Sequence, residues 1–127
     1  MIFVAFSELG FSQNVDTPSH NSDNSDEKIY SDTEIKPEYV GGITEFYNFV
    51  GKNYRVPSFR GLKGKVIVQF VIEKDGSLSD IKVLKDLGHG TGKEAVRVLK
   101  KCPKWIPGKQ SGIPVRTLYA LPISISS

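Results

Sequence analysis

One cysteine, one tryptophan and two histidines are all that 127 residues contain of those types. Cys102 alone cannot close a disulfide within the chain, nor can a cysteine-rich zinc site be built around it. His20 and His89 are too few and too far apart in sequence for a histidine-based metal centre. The opening apolar run, Met1 to Phe6, falls far short of the ~20 residues a membrane-crossing helix needs. Glycine-rich phosphate patterns are missing as well. In Gly88-His89-Gly90-Thr91-Gly92 the spacing is wrong, and Lys93 is followed by Glu94. No spacing resembles a catalytic triad, paired catalytic carboxylates or a metal site. An enzyme is not expected, and no cofactor is implied.

What is present is unevenly distributed. The net charge of +3 joins two unlike parts. Residues 13–38 hold seven acids against two bases and few large apolar side chains. Such a stretch buries too little surface to offset the entropy of ordering it, so a disordered acidic linker is expected there. Residues 39–127 carry fifteen lysines or arginines against six acids, a net +9, and nearly all the hydrophobic periodicity. The domain is expected to be 39–127. Residues 1–12 read as a truncated export signal: a short apolar block, then Gly10 and Ser12, the small residues a signal peptidase pocket admits.

Within the domain, Ile43, Phe46, Val50 and Tyr54 recur near helical spacing, joined by Tyr47 and Phe49, and predict an amphipathic helix closing before Pro57. Val66, Val68, Phe70 and Ile72 alternate on one face of a strand whose other face, Ile67, Gln69 and Val71, is also largely apolar. That strand is expected to be central. Asp75-Gly76 signals a tight hairpin turn into a second strand, Leu78 to Lys85. Thr91 and Glu94 fit a capping box for a helix that places Ala95, Leu99 and Cys102 on one stripe, with Val96 and Val98 beside it, and ends at Pro103. Trp105 reads as a core plug, Cys102 as a small apolar residue and His89 as a solvent-facing loop residue. After a turn at Trp105 to Gly108, Val115, Thr117, Tyr119, Leu121 and Ile123 alternate along a last strand. Pro114 and Pro122 cannot donate ladder hydrogen bonds, which places that strand at a sheet edge. The predicted fold is α+β: a small three-stranded antiparallel sheet in the order 2-1-3 with two helices packed on one face. The lysines and arginines read as a solvated face. Lys63-Gly64 starts like an RNA-recognition strand, but that strand has only Phe70, on its apolar face, in place of the stacking aromatics such recognition requires.

Four segments occur in one order over about residues 37 to 125: Val40-Gly41-Gly42 before an aromatic helix; Gly64-Lys65-Val66 leading to Phe70-Val71-Ile72-Glu73-Lys74-Asp75-Gly76-Ser77; Leu99 to Trp105; and Pro107-Gly108-Lys109-Gln110-Ser111-Gly112-Ile113-Pro114-Val115-Arg116. Together they resemble the C-terminal domain of TonB-type energy transducers. The motif residues that carry the resemblance are Gly41, Gly42, Asp75, Gly76, Pro103, Trp105, Pro107 and Gly108. The resemblance implies a periplasmic, non-enzymatic domain that grips a short extended segment of an outer-membrane TonB-dependent receptor as an added strand, in energy-coupled transport. The docking strand would be Val115, Arg116, Thr117, Leu118, Tyr119, Ala120 and Leu121. The basic domain favours an acidic segment, and no nucleic-acid partner is expected. A homodimer by exchange of the last strand stays open. So does the alternative of a stand-alone periplasmic adaptor or regulatory peptide-binding domain without energy coupling, since a flexible linker of about 26 residues spans only roughly 28 Å. Proline at Tyr119 is expected to remove an edge donor.

Overall fold

Val66, Val68, Phe70 and Ile72 are all fully buried, and the strand that carries them forms the middle of the sheet. The structure, a computed structural model, describes residues 27–127. The expected export signal and most of the expected linker lie outside the described residues. In chain order the elements are β1 (Ile29–Tyr30), α1 (Ile43–Asn53), β2 (Lys63–Ile72), β3 (Leu78–Lys85), α2 (Thr91–Lys100), β4 (Lys109–Gln110), β5 (Ile113–Pro114) and β6 (Arg116–Ser126). The main sheet has the order β1-β6-β2-β3. β2 pairs antiparallel with β3 and β6, as the sequence predicts, and β1 adds a short parallel strand outside β6. Phe46 and Val50 of α1 and Ala95, Val98 and Leu99 of α2 share one core with Val66, Phe70, Leu121 and Ile123. Both helices therefore cover the same face, and the fold is α+β.

β1 corrects the three-strand expectation, and it comes from the stretch assigned to the linker. Within its described part, from residue 27, that stretch is tied to the domain by its main chain. Ile35 exchanges two backbone hydrogen bonds with Lys109, and Glu38 exchanges two with Ile106. Thr33, Pro37 and Tyr39 are buried. Gly108 explains the close approach: a Cβ there would sit 2.6 Å from Thr117 Oγ1 and 3.0 Å from Thr33 Oγ1. Composition misses such a strap because its polar groups are satisfied by main-chain pairing, which charge counts do not register.

Trp105 joins the layers. Its ring lies 5.5 Å from Tyr39, 5.2 Å from Phe46, 5.7 Å from Phe70 and 5.2 Å from Tyr119, centroid to centroid. Its backbone N–H donates to Gly76 O at 2.8 Å. Gly76 has φ 89, and any Cβ there would overlap the Trp105 carbonyl. The hairpin glycine thus meets two demands, a left-handed turn and contact with the tryptophan backbone. Asp75 Oδ1 accepts from the Ser77 N–H and hydroxyl, which close the same turn.

The capping box does not form. Gly90, with φ 82, is the N-cap, and Thr91 already lies within the helix. The Thr91 hydroxyl accepts from Leu87 N–H at 3.0 Å and donates to Gly88 O at 2.8 Å. Glu94 instead accepts from Arg97 and from the Arg55 N–H at 2.8 Å, and Arg97 donates onward to Asn53 O at 2.7 Å. Glu94 and Arg97 therefore stitch α2 to the C-terminal end of α1. Those hydrogen bonds, Arg97 first, lower the Glu94 carboxyl from the ordinary 4.5 to about 2. A lowered carboxylate stabilises the fold above its unfolded pKa, and that gain disappears as pH falls from 4.5 towards 2. Glu94→Gln should cost about 1–2 kcal/mol at pH 7. In urea melts repeated down the pH scale, the gap from the parent protein should close near pH 2.

Candidate functional site

A sheet of this order has two outer edges, β3 and the β1/β6 side. β3 is unsuited to taking a further strand. Leu84 is an extra residue between the Ile67–Lys85 and Val68–Val83 pairs. Asp80 and Ile81 stand against Phe70 alone, where the register shifts again. Asp80 has φ 50, and Asp80, Lys82 and Lys85 are exposed. Bulges and charges of this kind block edge-to-edge pairing.

β6 is regular. Its register with β2 runs without a shift from Lys63–Ser126 to Ile72–Thr117. In such a ladder alternate residues turn their N–H and C=O towards the neighbour or away from it. Pro122 lacks an N–H, so it occupies an outward position, and its carbonyl does point out: Tyr47 Oη donates to it at 2.8 Å. The ladder continues past the strand with Ser127 N–H donating inward to Leu62 O at 2.9 Å. The parity is then fixed. Leu118, Ala120, Pro122, Ser124 and Ser126 face outward; Thr117, Tyr119, Leu121, Ile123 and Ile125 face β2. Tyr119 therefore donates into the sheet opposite Phe70. The expectation that proline at Tyr119 removes an edge donor is corrected, and the donor in question belongs to Ala120.

The docking residues read from the sequence separate accordingly. Val115 precedes the strand, is buried, and donates to Gly108 O at 3.0 Å. Arg116 and Thr117 are already paired, with Ile29 and Tyr30. Arg116 secures that arrangement: it donates to Glu27 O at 2.7 Å and to both Glu73 carboxylate oxygens, at 2.8 and 3.1 Å. The Glu73 carboxyl is lowered, chiefly by Arg116. Leu118 and Ala120 lie on the outward set. Tyr119 is half-buried against Trp105, and Leu121 is buried. With Thr117 turned towards β2, the parallel Tyr30–Thr117 pairing engages the Leu118 N–H, and among the described residues no main-chain strand pairs with β6 beyond that donor on this side.

The motif residues serve the scaffold. Gly41 and Gly42, with φ 91 and 94, make the turn into α1, closed by Gly42 N–H to Tyr39 O at 2.7 Å. Pro103 follows the end of α2, and Pro107 leads to Gly108 under the strap.

α1 runs beside the outward edge. Ile43 and Tyr47 are one turn apart and remain 45% and 38% exposed, although both fall in the helix's apolar pattern. With Gly51 they form a stripe at four-residue spacing, and that spacing is the signal that could have separated them from the core pair Phe46 and Val50. Two hollows flank the stripe. One of about 270 Å³ lies among Pro37, Tyr39, Ile43, Trp105 and Tyr119. The other, about 430 Å³, is lined by Tyr47, Gly51, Lys65, Pro122, Ile123 and Ser124. The arrangement offers main-chain donors and acceptors and an apolar wall, with Lys65 at one hollow and Lys36 beside Glu38 at the other.

Residues 59–124 match the family described as Gram-negative bacterial TonB protein C-terminal. The structure is similar to the NMR solution structure of the Helicobacter pylori TonB C-terminal domain, at 26% sequence identity and a TM-score of 0.50, over 66% of this chain and 91% of that one. No curated protein matches the chain. Among the described residues no helix is long and apolar enough to cross a membrane.

Proposed function

We propose, from the premise that this chain belongs to the Gram-negative TonB C-terminal family, that it is a periplasmic, non-enzymatic module accepting a short extended segment of an outer-membrane receptor as an added strand on β6, in energy-coupled transport. The observation that carries this reading is the contrast between the two sheet edges. β3 is bulged and charged, whereas β6 keeps its register without a shift and presents outward main-chain groups from the Leu118 carbonyl onward. An extended peptide can satisfy such groups.

Hydrogen bonds alone give little affinity. Each contributes about 0.5–1.5 kcal/mol, while ordering a peptide costs roughly 1–2 kcal/mol per residue. The balance comes from side chains covering Ile43 and Tyr47, and from charge. Residues 27–127 carry 17 lysines or arginines against 10 acids, a net +7, and draw an acidic segment, with an on-rate that salt reduces. A second copy of the chain would meet the same strip, so homodimer and peptide are competing occupants.

The test is an amide-resolved NMR titration with synthetic peptides copied from the N-terminal segments of outer-membrane receptors. The Ala120 and neighbouring β6 amides should shift while those of β3 stay in place. The dissociation constant should rise roughly threefold to tenfold between low and physiological salt. Shifts confined to β3, or affinity indifferent to salt, would refute the assignment.

A further inference from the structure

We infer that Tyr47 fixes the length and register of the segment that docks on β6, by closing the edge at Pro122; the inference rests on the docking reading above. Beyond Ala120 the next outward position is Pro122, which offers no N–H. Its carbonyl is the only outward main-chain group there, and Tyr47 Oη already donates to it at 2.8 Å. Tyr47 keeps that proton across the neutral range as tyrosines ordinarily do, and burial and the neighbouring Tyr119 phenol push its ionisation higher still. Its ring is braced against Phe46, 5.3 Å away. Opposite Pro122, an incoming residue finds no donor for its C=O, and its N–H must compete with a hydroxyl already in place. Leaving such groups unpaired at a closing interface is costly.

The strip open to a partner is therefore bounded on both sides. The parallel pairing with β1 engages the outward groups of Arg116 and the Leu118 N–H, and the Tyr47–Pro122 contact stops the ladder after Ala120. The hollow between Ile43 and Tyr119 lies inside these limits; the hollow at Ser124 lies beyond them. The occupant that fits is an acidic extended segment of a receptor, complementary to the basic domain. It makes a short ladder on the Leu118 carbonyl and both main-chain groups of Ala120, then carries a proline or turns away where it meets Pro122. A proline there has no N–H to compete with Tyr47.

The experiment compares the parent protein with Tyr47→Phe, which keeps the ring and removes the hydroxyl. The probes are two acidic receptor-derived peptides, a short one reaching only Ala120 and a long, proline-free one reaching Ser126. The parent should bind both within about twofold and leave the Ser124 amide unprotected from hydrogen exchange. Tyr47→Phe should bind the long probe roughly threefold to tenfold more tightly and protect Ser124, with the short probe unchanged. Ser124 protection in the parent, or identical behaviour of the two proteins, overturns the inference. Ala120→Pro should weaken both probes in either background. If it weakens neither, the docking reading itself fails, and this arm separates the two failures. Unfolding curves confirm that Tyr47→Phe remains folded.

Discussion

Replacing Trp105 by alanine is expected to lower the unfolding free energy by about 3–5 kcal/mol, the range for truncating a buried tryptophan. A domain of this size has a total stability of about 5–15 kcal/mol, so the variant should be partly unfolded near body temperature. The size of the effect follows from the tryptophan's neighbours. Its side chain, only 3% exposed, contacts rings from four separate places: Tyr39 behind the strap, Phe46 on α1, Phe70 on β2 and Tyr119 on β6. Its indole N–H also meets Cys102 Sγ at 3.3 Å. Truncation leaves a cavity that none of these rings can fill without leaving its own strand or helix. Trp105→Phe keeps most of the volume and should cost about 1–2 kcal/mol. Urea melts measure both. The midpoint should fall while the slope stays constant, and a loss below about 1 kcal/mol for the alanine variant would show that the four elements are held together elsewhere.

The fold was legible wherever a pattern had one physical cause. Alternation from Val66 to Ile72 can arise only from a strand with a buried face, and the flanking Ile67 and Val71 point to a central position. Asp75-Gly76 announced its turn because φ of 89 at Gly76 excludes side-chained residues. Sequence and structure part where one pattern has two outlets. Thr91 and Glu94 have capping-box spacing, but Gly90 takes the cap and Arg97 outcompetes the helix backbone for the carboxylate. The stretch before Tyr39 has the composition of a disordered segment, yet Ile35 and Glu38 find backbone partners on Lys109 and Ile106.

The candidate site was half legible. Pro122 marks a stretch with one unpaired side in the sequence alone, since a rung on that side would lack its donor. Which residues on that edge turn outward depends on register, and register needs the partner strand. Tyr47 escaped for the same reason. It reads as one more apolar residue on an amphipathic helix until the helix is seen to lie beside β6, with its hydroxyl on the Pro122 carbonyl.

Register also sets apart two proline substitutions one position apart. Ala120→Pro removes an outward N–H from an exposed residue and breaks no rung of the β2–β6 ladder. Its stability should change by less than about 1 kcal/mol, as for other edge positions where proline is tolerated. The peptide, however, loses a donor and meets the pyrrolidine ring, and binding should weaken about tenfold or more. Tyr119→Pro deletes the inward N–H opposite Phe70 and the ring that packs 5.2 Å from Trp105. It should cost about 3 kcal/mol or more, so any loss of binding would follow from loss of fold. Calorimetric titration together with urea melts resolves the pair. A stable Tyr119→Pro beside an unfolded Ala120→Pro would mean that β6 turns its other set of amides outward, and the strip at Leu118 and Ala120 would no longer be open to a partner.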